Sequence, residues 1–148
     1  MDLNRLSKVE VDLLIDRLKN PMNLLSYGEI NVKLSAMFNS INITEAVIDD
    51  GDVEYFLHVY RGKYDMTRFS FHLRFKDNHE HLVRVDINPT GKHVNPDGSV
   101  ITDSHMHIYN PESSKKDSFA IPLNPKEFPN IETIIEAYMS FEQYINLE

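Results

Sequence analysis

Residues 53–60 read VEYFLHVY, residues 69–75 read FSFHLRF and residues 83–87 read VRVDI. Val53, Tyr55, Leu57 and Val59, then Phe69, Phe71, Leu73 and Phe75, then Val83, Val85 and Ile87 recur at every second position. Strand side chains alternate between faces, so this period turns one face of each run to a core and the other away from it. Three such runs joined by short connections predict neighbouring antiparallel strands. The same period over Ile30, Val32, Leu34, Ala36 and Phe38 predicts an earlier strand. Met106 and Ile108 predict a later one, and Phe119 and Ile121 a last one. The segment Ile41 to Ile48 fits either a strand or an irregular connection.

Outside this region the period becomes helical. Ser7 and Glu10 have the spacing of a capping box, with Leu6 and Val11 at the hydrophobic-staple positions around it. Val11, Leu14, Ile15 and Leu18 then form one apolar stripe, which Asn20-Pro21 is expected to end. A last helix is expected to begin near Asn130, its stripe made of Ile131, Ile134, Ile135, Tyr138, Phe141 and Ile145. The fold class that follows is α+β. A meander-like antiparallel sheet of about five to seven strands carries the N-terminal and C-terminal helices on one apolar face, as a single domain over residues 1–148.

Composition narrows the function classes. A chain of 148 residues, 41% hydrophobic, with eight Phe and seven Tyr, has enough apolar mass for one packed core. A net charge of -8 argues against a phosphate-backbone binder, so direct nucleic-acid binding is not expected. It suits a protein that meets a basic partner. The absence of cysteine removes disulfides, thiolate nucleophiles and cysteine-ligated zinc. Neither a signal-peptide run nor a membrane-length apolar segment is seen, so the expected location is cytoplasmic, with no membrane partner.

The face opposite the core is chemically richer than a merely solvated one. Alternation assigns to it His58 and Tyr60, Ser70, His72 and Arg74, Arg84 and Asp86, then His105, His107 and Tyr109. Histidine, arginine and tyrosine together suit a surface that contacts something, although cross-strand polar pairing alone accounts for His58 and His72 equally well. Arg84 and Asp86 leave their strand on the same side, where a simple salt bridge is the first expectation. His105 and His107, two apart, place both rings on one side with Cα atoms roughly 6.7 Å apart. That spacing suits a shared metal only if His93 or Asp86 supplies a third ligand. It suits acid–base work on a phosphodiester, or phosphate binding, without one. With only this pair at ligand-like spacing, no bound metal and no cofactor are expected.

Turns punctuate the same region. Five of the seven prolines follow Asn, and Asn88-Pro89-Thr90-Gly91 and Asn95-Pro96-Asp97-Gly98 read as type I turns with Gly in the fourth place. Two stiff turns seven residues apart are placed to hold His93 over the sheet face. Asp97 needs no ligand to explain it. Glu112 to Asp117 is the expected mobile loop. No P-loop, dinucleotide fingerprint, His-Glu-x-x-His or Gly-x-Ser-x-Gly motif occurs.

From Arg84 to Tyr109 the string R-V-D-I-N-P-x-G-x-H-x-N-P-D-G, followed by H-x-H-I-Y, resembles an uncharacterised family of small proteins carried by phages and mobile elements of Gram-positive bacteria. The likeness covers about 26 residues, with looser support from the helix at each end. It implies that Arg84, Asp86, His93, Asn95, Asp97, His105 and His107 form one unit. Relatives that read Asn-Gly-Pro before the first His differ from Asn88-Pro89-Thr90-Gly91 here, so the approach to His93 differs too.

Two function classes follow. The first is a phage or mobile-element accessory protein that acts by binding, either as an anti-defence inhibitor of a host protein or by sequestering a nucleotide-like ligand. Arg84, Asp86, His93, Asn95, Asp97, His105, His107 and Tyr109 are its candidate ligand-binding residues, and a homo-oligomer is compatible with it. The second is a His-dependent phosphoesterase or ribonuclease, metal-assisted or not. Acidity and the missing enzyme signatures favour the first, and the clustered His, Arg and Asp the second.

Overall fold

The computed structural model describes residues 1–35 and 39–148. Its main sheet has seven strands in the order β1 (Lys19–Pro21), β2 (Ile41–Asp49), β3 (Glu54–Arg61), β4 (Phe69–Phe75), β5 (His81–Ile87), β8 (His105–Ile108) and β9 (Ala120–Pro122). All neighbours pair antiparallel, a meander interrupted once between β5 and β8 by the hairpin of β6 (Lys92–Val94) and β7 (Val100–Thr102). The expected α+β class, strand number and meander are observed. The ambiguous segment after Ser40 is the longest strand of the sheet, β2.

The odd-numbered residues of β3 and β4 are the core face. Tyr55, Leu57, Val59, Phe71, Leu73 and Phe75 are buried there with Val83 and Val85. Both terminal helices join the same hydrophobic cluster. Helix α1 (Lys8–Asp16) contributes Val11, Leu14 and Ile15; helix α4 (Ile134–Tyr144) contributes Ile134, Ala137, Tyr138 and Phe141. Phe71 meets the rings of Tyr138 and Phe141 at 5.4 Å each, so aromatic edges lock α4 onto the middle of the sheet.

The start of α1 is as expected. Ser7 Oγ accepts from the Glu10 amide, Glu10 accepts from the Ser7 amide, and Leu6 and Val11 are both buried. Its end is not. The helix stops at Asp16, and Asn20-Pro21 lies in the edge strand β1, with Leu18 only half-buried before it. The last helix likewise starts later than Asn130, where Thr133 Oγ accepts from the Glu136 amide and supplies the cap. Ile131 and Ile135 pack at the margin of the core.

The expected strand from Ile30 to Phe38 is a correction. Asn23 Oδ1 accepts from the Leu25 and Ser26 amides and opens α2 (Leu24–Gly28), and Ile30–Leu34 forms α3. Ile30 and Leu34 are buried while Val32 is 74% exposed. Positions i and i+4 satisfy both a period of two and a helical repeat, and Val32 is the residue that separates the two. Ala36 and Phe38 lie outside the described residues. At the other edge, Ile121 pairs with Met106 as a core-face residue should, yet it is 40% exposed at the uncovered margin of the sheet.

Lys19 fastens these elements together. Its side chain is fully buried, and Nζ donates to the carbonyls of Leu14 at 2.7 Å, Ile15 at 2.9 Å, Arg17 at 2.8 Å and Ile145 at 2.7 Å. Burial pulls the ammonium down to about 8, against the attraction of Asp49, Asp16 and Asp50, so it remains charged at neutral pH. One cation therefore caps the C-terminal ends of both α1 and α4. Lys19→Met, which leaves those carbonyls without a donor, is expected to cost on the order of 3 kcal/mol or more in urea unfolding. A loss below about 0.5 kcal/mol, the range of ordinary surface substitutions, contradicts this role.

Candidate functional site

Register builds the site on the face away from the helices. One row across the sheet runs His58, His72, Arg84, His107; the next runs Tyr60, Ser70, Asp86, His105. Each residue is brought there by the same alternation that buries its neighbours. Arg84 therefore stands opposite His107, and Asp86 opposite His105.

Asp86 is the hub. Its Oδ2 lies 3.1 Å from Arg84 Nε and 3.4 Å from Nε2 of both His105 and His107. Burial acts to raise its pKa, but the hydrogen bonds from His105 and His107 and the charge of Arg84 prevail and hold the carboxyl well below the usual range. The hydrogen bond to Asp86 pushes the His105 imidazole up in turn, against its desolvation. His105 Nδ1 lies 3.1 Å from the Asp103 carbonyl, which only accepts, so this nitrogen carries a proton. The expected Arg84–Asp86 salt bridge is present. It uses the guanidinium Nε, and among the described residues no partner takes the terminal nitrogens of Arg84.

The hairpin places the third imidazole. The Gly91 amide donates to the Asn88 carbonyl at 3.0 Å and the Gly98 amide to the Asn95 carbonyl at 2.9 Å, closing both expected turns. Gly98 has φ of 88°, which favours a residue without Cβ. Between the turns, His93 lies with its ring centroid 5.4 Å from that of His105 and 4.9 Å from that of His107. Its Nε2 meets the Ser118 carbonyl at 3.0 Å. One nitrogen from each of His93, His105 and His107 lies within 4.8 Å of the others.

Three candidate residues are elsewhere. Asn95 is buried and acts as a piece of strand: its Oδ1 accepts from the Ala120 amide at 2.7 Å and its Nδ2 donates to the Ala120 carbonyl at 2.9 Å, pinning the hairpin to β9. Asp97 accepts from the Ser99 amide and hydroxyl and serves only its own turn. Tyr109 is buried in the core, its amide bonded to the Leu82 carbonyl, because the chain leaves β8 at Ile108 and the alternation ends there. The expected mobile loop from Glu112 to Asp117 is tied down. Lys116 Nζ donates to the Pro111 carbonyl, and Asp117 Oδ2 lies 3.0 Å from His81 Nδ1.

His81 and Asp117 belong to a second polar cluster that alternation misses. A bulge in the pairing of β4 with β5 leaves Leu82 and Val83 both buried and turns His81 to the face of Arg84. The rings of His58 and His72 are 5.4 Å apart, and those of His72 and His81 5.0 Å apart. His72 Nε2 is buried without a partner among the described residues.

Arg84, Asp86, His93, His105 and His107 floor a cavity of about 870 Å³, which Asp117 of the second cluster also lines. Lys63, Arg68, Lys92 and Lys115 line it with Arg84, against the acids Asp65, Asp86 and Asp117. Tyr60 and Tyr64 stand at its margin with exposed rings. The four lysines and arginines besides Arg84 come from loops and a hairpin, and only a hydrophobic period marks residues at sequence level. The sequence pattern of a family of unknown function, DUF6978, matches residues 6–147. No curated protein and no solved structure matches the chain.

His72 makes the acid sensitivity of the fold testable. Desolvation first, then the charges of His81, Arg84 and His58, lower its pKa to about 3, with Asp86 opposing. An unfolded imidazole takes up its proton near pH 6.5, so between about pH 6.5 and 3 the unfolded chain holds the extra proton and stability falls as pH falls. At pH 5 this amounts to roughly 1–2 kcal/mol. His72→Gln is therefore expected to lose less urea stability than the wild type between pH 7 and pH 5. Equal losses contradict the assignment.

Proposed function

The chain belongs to DUF6978, a family of unknown function, and from its site we propose that it acts by binding, taking a small phosphorylated, nucleotide-like ligand into the basic cavity. The observation that carries the reading is the local reversal of charge. A chain of net charge -8 gathers Lys63, Arg68, Arg84, Lys92 and Lys115 around one cavity. Asp86, the acid at its floor, is already engaged by Arg84 and two imidazoles. Guanidinium and ammonium groups around a recessed floor suit phosphate oxygens. The exposed rings of Tyr60 and Tyr64 suit a stacked base. The volume is in the range of small-ligand sites. Sequestration of such a ligand, as an accessory or anti-defence protein of a phage or mobile element, is the use that the resemblance of residues 84–109 favours.

A second reading rests on the three imidazoles themselves. Ring centroids 4.9–5.4 Å apart suit a pair of histidines sharing acid and base duties on a phosphodiester. Turnover of a chromogenic phosphodiester that disappears in His105→Gln favours catalysis over binding.

Titration calorimetry with inorganic phosphate and with adenosine monophosphate tests the first reading. Binding is expected, weakened by added salt and at least tenfold weaker in Arg84→Ala, about 1.4 kcal/mol. No binding of either compound, or equal affinity in Arg84→Ala, removes it. Alanine at His105 and His107 together is a poor probe. At 6% and 4% exposure both rings are interior groups bonded to a half-buried carboxylate, so the pair is expected to cost stability as well as function.

A further inference from the structure

We propose that His93, His105 and His107 form a binding site for one divalent transition-metal ion of the zinc class. The strand pair alone offers two ligands; the hairpin between the Asn-Pro turns supplies the third, and one nitrogen of each ring already lies within 4.8 Å of the others. A tetrahedral ion about 2.0–2.1 Å from each nitrogen needs those nitrogens roughly 3.3 Å apart. The remaining closure is therefore at most about 1.5 Å, within the reach of small side-chain rotations.

Three further features fit a metal. His93 Nε2 donates to the Ser118 carbonyl and His105 Nδ1 to the Asp103 carbonyl, so each ring is oriented by a backbone acceptor, and an ion on His105 Nε2 takes the place of the proton that this nitrogen shares with Asp86. That is the outer-shell arrangement of metal-bound imidazoles. His107 is almost wholly buried, yet its Nδ1 has no partner among the described residues. Asp86 Oδ2, 3.4 Å from Nε2 of both strand histidines, provides negative charge beside the ion. An all-imidazole nitrogen set with no thiolate selects zinc, copper, iron or nickel over calcium or magnesium, which prefer oxygen. Three protein ligands leave a position open, and the cavity beside it is the one described above. The expectation of no metal rested on counting one histidine pair, and His93 changes that count.

The test is zinc chloride titrated into chelator-treated protein, followed by calorimetry, with cobalt as a visible reporter. Expected are one equivalent of zinc, tetrahedral cobalt bands, and affinity at least tenfold weaker in both His93→Gln and His105→Gln. His58→Gln, which alters a histidine outside the triad, is expected to bind like the wild type. If circular dichroism shows that His105→Gln does not fold, His93→Gln decides, because its ring sits on the hairpin outside the seven-stranded sheet. Substoichiometric zinc in the wild type, or undiminished binding in His93→Gln, overturns the site. Phosphate binding measured on the chelator-treated protein separates this outcome from that of the ligand-binding reading.

Discussion

A single buried ammonium holds the ends of the molecule. Both α1 and α4 finish with carbonyls that no intrahelical amide can reach, and both finish at Lys19. Three N–H groups serve four carbonyls, so at least one is shared, and the charge meets the negative ends of two helices at once. Because Lys19 is also the first residue of β1, the same contact ties both helices to the edge of the sheet whose middle they cover. Beside it, Asp49 accepts from Tyr55 Oη at 2.8 Å and meets Arg17 at 3.6 Å, so no charge is buried there alone.

On the opposite face Asp86 has a comparable organising part. It faces Arg84, His105 and His107 and fixes the directions from which a ligand meets them. The hairpin that carries His93 is not free to choose its position. Asn95 grips both backbone groups of Ala120, so the Asn-Pro turn is a clamp that sets the third imidazole over the other two. Rigid placement of this kind is what binding or catalysis by side chains requires.

Much of the site was legible from period alone. Arg84, Asp86, His105 and His107 face one way because Val83, Val85 and Met106 face the other, and two turns of known chemistry bring His93 back. Asn95 and Asp97 were drawn into the site by the family resemblance of residues 84–109; the bonds that occupy them are to Ala120 and Ser99. His81 went astray at the bulge at Leu82, because one extra residue reverses facing and leaves no mark in composition, and Tyr109 at the end of β8, where the alternation stops.

What the sequence by itself determined was the meander, its buried face, the capping box, both Asn-Pro turns and the facing of the central polar residues. All of these are set by neighbours within a few positions along the chain. Tertiary structure alone decided that Ile30 to Leu34 is helical, that Lys19 is the joint of both helices, and that His93 completes a triad with His105 and His107. It alone gathered Lys63, Arg68, Lys92 and Lys115 from separate connections around one cavity. These depend on which distant segments share a solvent-free volume or a cleft. Local stereochemistry carries no record of such long-range closure, since a period of two and a period of four can place the same residues inside.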